Sequence, residues 1–184
     1  MKNSFKSKIE IVQKGFTLIE LLIVIAVLGI LATAVLVALD PIEQMNRAKD
    51  AGIVNSVSQL GNAMQAYYTS TSVVPTANAT WVTTLIDAGE LKMAPTQPSG
   101  WQNCGTNSQN GFCYFTYAGP TVTEGVIYAH LVSKDSRAKE TQRGGPACAA
   151  DGSNVWAVYE TQLGKGGIWC GAEPSAANVP GALY

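Results

Sequence analysis

The sequence predicts an α+β chain, in which a long N-terminal α-helix, apolar and then amphipathic, packs on a small antiparallel β-sheet. Three observations predict it. Residues 16–39 form an apolar run whose only charge is Glu20. Ile53, Val57, Leu60, Met64 and Tyr67 then recur at i, i+4, i+7, i+11 and i+14, the stripe of an amphipathic helix. Beyond residue 110, three short runs of aromatic and β-branched residues are separated by charged or Gly-rich links. A long helix followed by strands is an α+β order.

The apolar run comes first. As a helix it is about 36 Å long at 1.5 Å per residue. A bilayer core is about 30 Å thick, so the run is long enough to span it with every backbone group satisfied internally. Before it lie Lys2, Lys6, Lys8 and Lys14 against a single Glu10, a basic head that holds the N-terminus in the cytoplasm. Ala32-Thr33-Ala34 fits a small-x-small secretory cleavage site, but the apolar run continues through Val35–Leu39 and Glu20 would sit in the signal's core, so a secretory signal fits poorly.

Glu20 is the residue that needs a partner. An acidic group within an apolar span costs about 2–3 kcal/mol near the centre and less near an end. No basic residue lies one helical turn away, since Lys14 is six positions upstream. A cut between Gly15 and Phe16 would create an α-amino cation four residues before Glu20, on the same chain or a neighbouring one. In a bundle of apolar helices such a pair sets axial register, as one buried polar group does in coiled coils.

The stretch Lys14-Gly15-Phe16-Thr17-Leu18-Ile19-Glu20-Leu21-Leu22-Ile23-Val24-Ile25-Ala26 resembles the class III signal of type IV pilins and pseudopilins. The resemblance covers about the first 55 residues. It implies cleavage after Gly15 by a prepilin peptidase, N-methylation of Phe16, and a role for Glu20 in subunit register. It also implies a pilin-like fold and a homo-oligomeric helical filament, with the membrane, the peptidase and the pilus assembly machinery as partners. The implied function is a structural subunit of a type IV pilus serving adhesion, motility or DNA uptake. The alternatives are a pseudopilin of a type II secretion or competence system, or a membrane-anchored binding module that never polymerises. The implied location is a single-pass inner-membrane precursor, N-terminus cytoplasmic, whose mature form sits in an extracellular filament. Two features depart from the family pattern: the first proline, Pro41, lies just past the apolar run, and the leader of fifteen residues is long for a subunit beginning with Phe.

The organisation expected is therefore a cleaved leader at 1–15, a transmembrane and polymerisation helix at 16–39, an amphipathic helix at 40–70 and an extracytoplasmic head at 71–184. Asp40-Pro41 suits a helix start, or bends one continuous helix. Glu43, Gln44, Arg47, Lys49 and Asp50 read as a solvated polar stretch, and Gly52 and Gly61 as local weak points of the helix. Residues 69–80 read as a loop, and Trp81–Ala88 as a short helix capped by Gly89. Strands are expected at Phe112–Tyr117, after the turn signal Asn110-Gly111, at Val126–Ser133 and at Val155–Tyr159. Ser133–Pro146 reads as a polar connection between strands and Gly164–Tyr184 as a Gly-, Ala- and Pro-rich tail.

Cys104, Cys113, Cys148 and Cys170 all lie beyond the apolar run. An even count in an exported domain reads as disulfides. Four cysteines allow three pairings, and proximity in sequence favours Cys104–Cys113 with Cys148–Cys170. No zinc spacing is present, and neither a metal nor a cofactor is expected. His130 alternates alone within a strand and reads as packed or surface. Asp151-Gly152-Ser153-Asn154 lacks the closing Glu of a calcium loop and reads as a turn. Asn78-Ala79-Thr80 meets only the minimal glycosylation rule. With no catalytic constellation and no clustered basic run in the head, neither an enzyme nor direct nucleic-acid binding is expected.

Overall fold

The computed structural model describes residues 15–98, 104–105, 107–118, 123–140, 154–161 and 163–178. The chain divides into two compact units, Met1–Pro41 and Ile42–Tyr184.

The N-terminal unit contains α1, Leu18–Ala38, in which no residue is buried. It is long and apolar enough to cross a membrane. Leu39 ends it in αR geometry, Asp40 takes a positive φ of 37°, and a second helix begins at Pro41. Proline at a first helical position loses no intrahelical bond. The chain thus has two helices here, not one continuous helix bent at Pro41.

The second unit is built on α2, Pro41–Thr71. Ile53, Val57, Leu60 and Met64 of its stripe are buried, and Tyr67 is partly buried against them. They pack on a four-stranded antiparallel sheet in the order β1 (Cys113–Ala118), β2 (Thr123–Leu131), β3 (Val155–Glu160), β4 (Lys165–Cys170). Tyr114, Ile127, Ala129, Leu131, Val155, Ala157 and Tyr159 face α2, together with Trp81, Val82 and Leu85. These last three lie on α3, Trp81–Asp87, which Gly89 follows with φ 81°. The opposite sheet face carries a smaller cluster of Cys113, Val126, Tyr128, Trp156 and Val158, covered by Cys104. With both faces covered, the central strands β2 and β3 are buried almost throughout, so their apolar runs are continuous where a half-exposed strand would alternate.

Three structural findings correct the sequence reading. The tail contains β4, whose Gly166 and Gly167 suppress its strand signal; pairing with Tyr159 and Val158 of β3 decides it. The polar connection contains α4, Lys134–Glu140. Gly61 is more than a weak point. A Cβ there would come 2.3 Å from the Tyr159 ring, so this glycine lets β3 approach α2. The Asn110-Gly111 turn forms as expected, with φ of 54° and 87° and the Gln109–Phe112 pair closed by two backbone bonds of 2.8 and 3.0 Å.

Candidate assembly site on the N-terminal helix

Gly15 and Phe16 precede α1 in non-regular backbone, and both are exposed. Among the described residues, nothing lies within 4 Å of where a Cβ on Gly15 would stand. Thr17 is the N-cap, in extended geometry. Its hydroxyl accepts from the Glu20 backbone N–H at 3.3 Å, while Glu20 Oε2 accepts from the Thr17 backbone N–H at 2.9 Å and from its hydroxyl at 2.7 Å. This is a capping box, which satisfies two N–H groups that the first helical turn leaves without partners. A carboxylate is favoured there by the helix dipole as well.

Glu20 therefore has an intramolecular partner, Thr17, that charge alone does not reveal. The signal was Thr17-x-x-Glu20 ahead of an apolar run, a spacing legible without any charge partner. Only Oε2 is used in the box, and an ionised carboxylate has about four acceptor positions, so the group retains capacity for a cation. Farther along, Ala26, Gly29, Ala32 and Ala34 are exposed on α1, with open space around Gly29. Small residues let helices approach closely in lipid. Thr33 donates its hydroxyl to the Ile30 carbonyl at 2.8 Å and so keeps its polar group satisfied within the helix.

In the second unit, Cys104 and Cys113 form a disulfide with Cα atoms 6.0 Å apart. Cys170 is also disulfide-bonded. Cys148 lies outside the described residues, as do Asp151, Gly152 and Ser153 of the expected turn. Glu173 accepts from the Gly105 N–H at 2.7 Å and the Tyr128 hydroxyl at 2.8 Å, fastening the segment after β4 beside the Cys104–Cys113 bond. His130 is buried, with its ring edge-on to Trp156 at 5.0 Å and Nε2 3.4 Å from Asn154 Oδ1. Burial holds its pKa below the ordinary value, against the opposing pull of Asn154 and Asp50. Asn78 is exposed, and its Oδ1 accepts from the N–H and hydroxyl of Thr80.

The polar stretch at the start of α2 is partly interior. Asp50 is only 3% exposed and accepts from the N–H groups of Val132 and Ser133, at 3.0 and 2.9 Å, and from the Ser136 hydroxyl at 2.6 Å. Glu43 accepts from the Asp135 N–H at 3.2 Å and meets Arg47 at 3.4 Å. Glu43 and the Ser133 hydroxyl thus satisfy N–H groups of the first turn of α4, at Asp135 and Ser136, while Asp50 holds the residues that lead into it, the reason a seven-residue helix forms in a stretch without apolar periodicity. The signal was present in the spacing: Glu43, Asp50, Val57 and Met64 recur every seven residues, which puts both acids on the buried face.

Residues 12–36 match the family described as the prokaryotic N-terminal methylation motif. The fimbrial protein EcpC of Eikenella corrodens is 43% identical over 68 residues, which cover 37% of this chain and 43% of that protein. The match thus spans less than half the length of that relative. No solved structure matches the chain. The methylation motif on an exposed apolar helix and the similarity to a fimbrial protein, together with the α+β architecture, support a type IV pilin-like family for the chain.

Proposed function

We propose that the chain is a structural subunit of a type IV pilus, cut after Gly15, N-methylated at Phe16 and polymerised through α1. The observation that carries this reading is Glu20 in an apolar helix that buries none of its own residues. Such a helix is stable only with partners outside the chain: lipid before assembly, and the helices of other copies afterwards. Oε2 of Glu20 stays in the capping box, and Oε1 takes the Phe16 amine of a neighbouring subunit. That pair neutralises two charges which would otherwise be costly among apolar side chains.

In this reading the precursor sits in the inner membrane with residues 1–15 in the cytoplasm and the sheet outside. There Cys104–Cys113 is stable in an oxidising compartment. The prepilin peptidase and the pilus assembly machinery are the expected partners, and the subunit itself performs no catalysis. Intact-mass and N-terminal analysis of the protein from its host tests this. A mature chain beginning at N-methylated Phe16, recovered in sheared surface filaments, supports it. A chain that keeps its leader, or begins elsewhere, refutes it. Correct processing without surface filaments points instead to a pseudopilin.

A further inference from the structure

Asn78, Ala79 and Thr80 lie in the loop between α2 and α3, and all three are exposed. The core holds this loop at both ends. Pro75 is buried, and its carbonyl accepts from the Tyr114 hydroxyl at 3.0 Å. Trp81, which follows Thr80, is buried and donates its ring N–H to the Asn107 carbonyl at 3.1 Å. Ala77 packs half-buried against the same core. Asn78 and Thr80 therefore project from a fixed base.

The two side chains bond to each other. Asn78 Oδ1 accepts from the Thr80 backbone N–H at 2.9 Å and from its hydroxyl at 3.0 Å. A backbone N–H only donates, so the amide atom facing it is the oxygen, and Nδ2 is turned away from Thr80. Nδ2 makes no hydrogen bond among the described residues. An Asx turn accounts for Oδ1 but gives the nitrogen no task. Thr80 is the N-cap residue of α3, where a threonine hydroxyl ordinarily accepts from a first-turn N–H. Here its side chain makes no cap bond. Gln109 takes that role, its Oε1 accepting from the Val82 and Thr83 N–H groups at 2.7 and 3.4 Å. The Thr80 hydroxyl is thereby left to Asn78. An enzyme can engage both side chains without breaking a core contact.

We propose that Asn78 Nδ2 is an acceptor site for N-linked glycosylation. The tripeptide has the required form, asparagine, a residue other than proline, and threonine, on an exposed loop. The donor is a sugar whose anomeric carbon carries a pyrophosphate leaving group. Nδ2 attacks that carbon, and the new C–N bond forms as the C–O bond to the pyrophosphate breaks. One Nδ2 proton passes to a base of the host's glycosyltransferase, and the pyrophosphate departs with its lipid or its nucleoside. The site does not depend on filament assembly, which is tested separately at Phe16.

Mass spectrometry of the full-length chain purified from its host is the test. The tryptic peptide from Asp50 to Lys92 contains Asn55, Asn62 and Asn78, and of these only Asn78 has Ser or Thr two residues on. Electron-transfer fragmentation is expected to place a glycan mass on Asn78. Asn78→Asp keeps an oxygen facing Thr80, and with it the turn, but has no Nδ2. That variant should lose the mass while its far-ultraviolet circular dichroism stays unchanged. Thr80→Val should lose the mass as well, whereas Thr80→Ser should keep it. Tunicamycin, which blocks loading of sugar phosphate onto the polyprenyl carrier, separates the donors. Loss of the glycan assigns a lipid-linked sugar, and its persistence assigns a nucleotide sugar. The proposal is overturned if wild-type Asn78 is unmodified, if the mass sits on a neighbouring Ser or Thr, if it persists in Asn78→Asp, or if Thr80→Val and Thr80→Ser carry it alike.

Discussion

The two long helices of this chain solve opposite problems. On α1 every side chain is exposed and nearly all are apolar. On α2 the apolar residues are confined to a stripe, and that stripe is buried under the sheet. Each also contains carboxylates in apolar surroundings, handled differently. Asp50 on α2 receives three bonds from the β2–α4 junction of its own unit. Glu20 on α1 receives two, both from Thr17 at the start of its own helix, and none from the other described residues. The α2 surface is completed by intramolecular folding. The α1 helix buries none of its residues, which is the physical basis for proposing it as the assembly element.

Matched substitutions in the two helices break or sharpen that contrast. The largest difference is expected for leucine truncation. Leu60→Ala empties a fully buried site and should cost the second unit about 3 kcal/mol, while Leu28→Ala should leave its unfolding midpoint unchanged. Thermal unfolding of both variants in micelles, followed by near-ultraviolet circular dichroism, is the measurement. Equal effects would mean that α1 belongs to the folded core.

The carboxylates come next. Asp50→Ala leaves the Val132 and Ser133 N–H groups without their acceptor and should cost about 2 kcal/mol, with α4 the first element to lose amide-exchange protection. Glu20→Ala should leave that midpoint and membrane insertion unchanged yet abolish surface filaments. Filaments at normal yield would remove Glu20 from assembly.

The glycines differ in the same sense by a smaller amount. Gly61→Ala drives a Cβ into the Tyr159 ring and should destabilise by about 1–2 kcal/mol, whereas Gly29→Ala meets open space and should leave the second unit untouched. Unfolding curves of this pair read the contrast directly.

The smallest effect is the pH response of His130. Burial lowers its folded pKa below an ordinary value near 6.5. The folded state therefore binds its proton less readily than the unfolded chain does. Its contribution is present above about pH 6.5 and is lost as pH falls through and below that value. Stability measured from neutral to mildly acidic pH should decline, and His130→Gln should flatten the decline. An unchanged slope in that variant assigns it to other groups.

The patterns legible in the sequence were those with a short period. The apolar run, the stripe from Ile53 to Tyr67, the Asn110-Gly111 turn and three of the four strands are each specified by neighbours in sequence. The methylation motif and Glu20 stand out because a lone charge among apolar residues is conspicuous. The capping box is equally local, but it joins a hydroxyl and an N–H to the carboxylate, so charge alone does not reveal it.

What tertiary structure alone decided depends on contacts between distant residues. The β4 strand takes its conformation from β3, since Gly166 and Gly167 have little strand preference of their own. The α4 helix takes its start from Glu43 and Asp50, carboxylates about ninety positions away. Gly61 owes its importance to Tyr159. By itself the sequence determined that one helix is apolar all round and another only along a stripe, because helical periodicity is written in neighbouring residues. Which carboxylates and glycines matter was decided by packing, because burial and close approach are properties of surfaces brought together by folding.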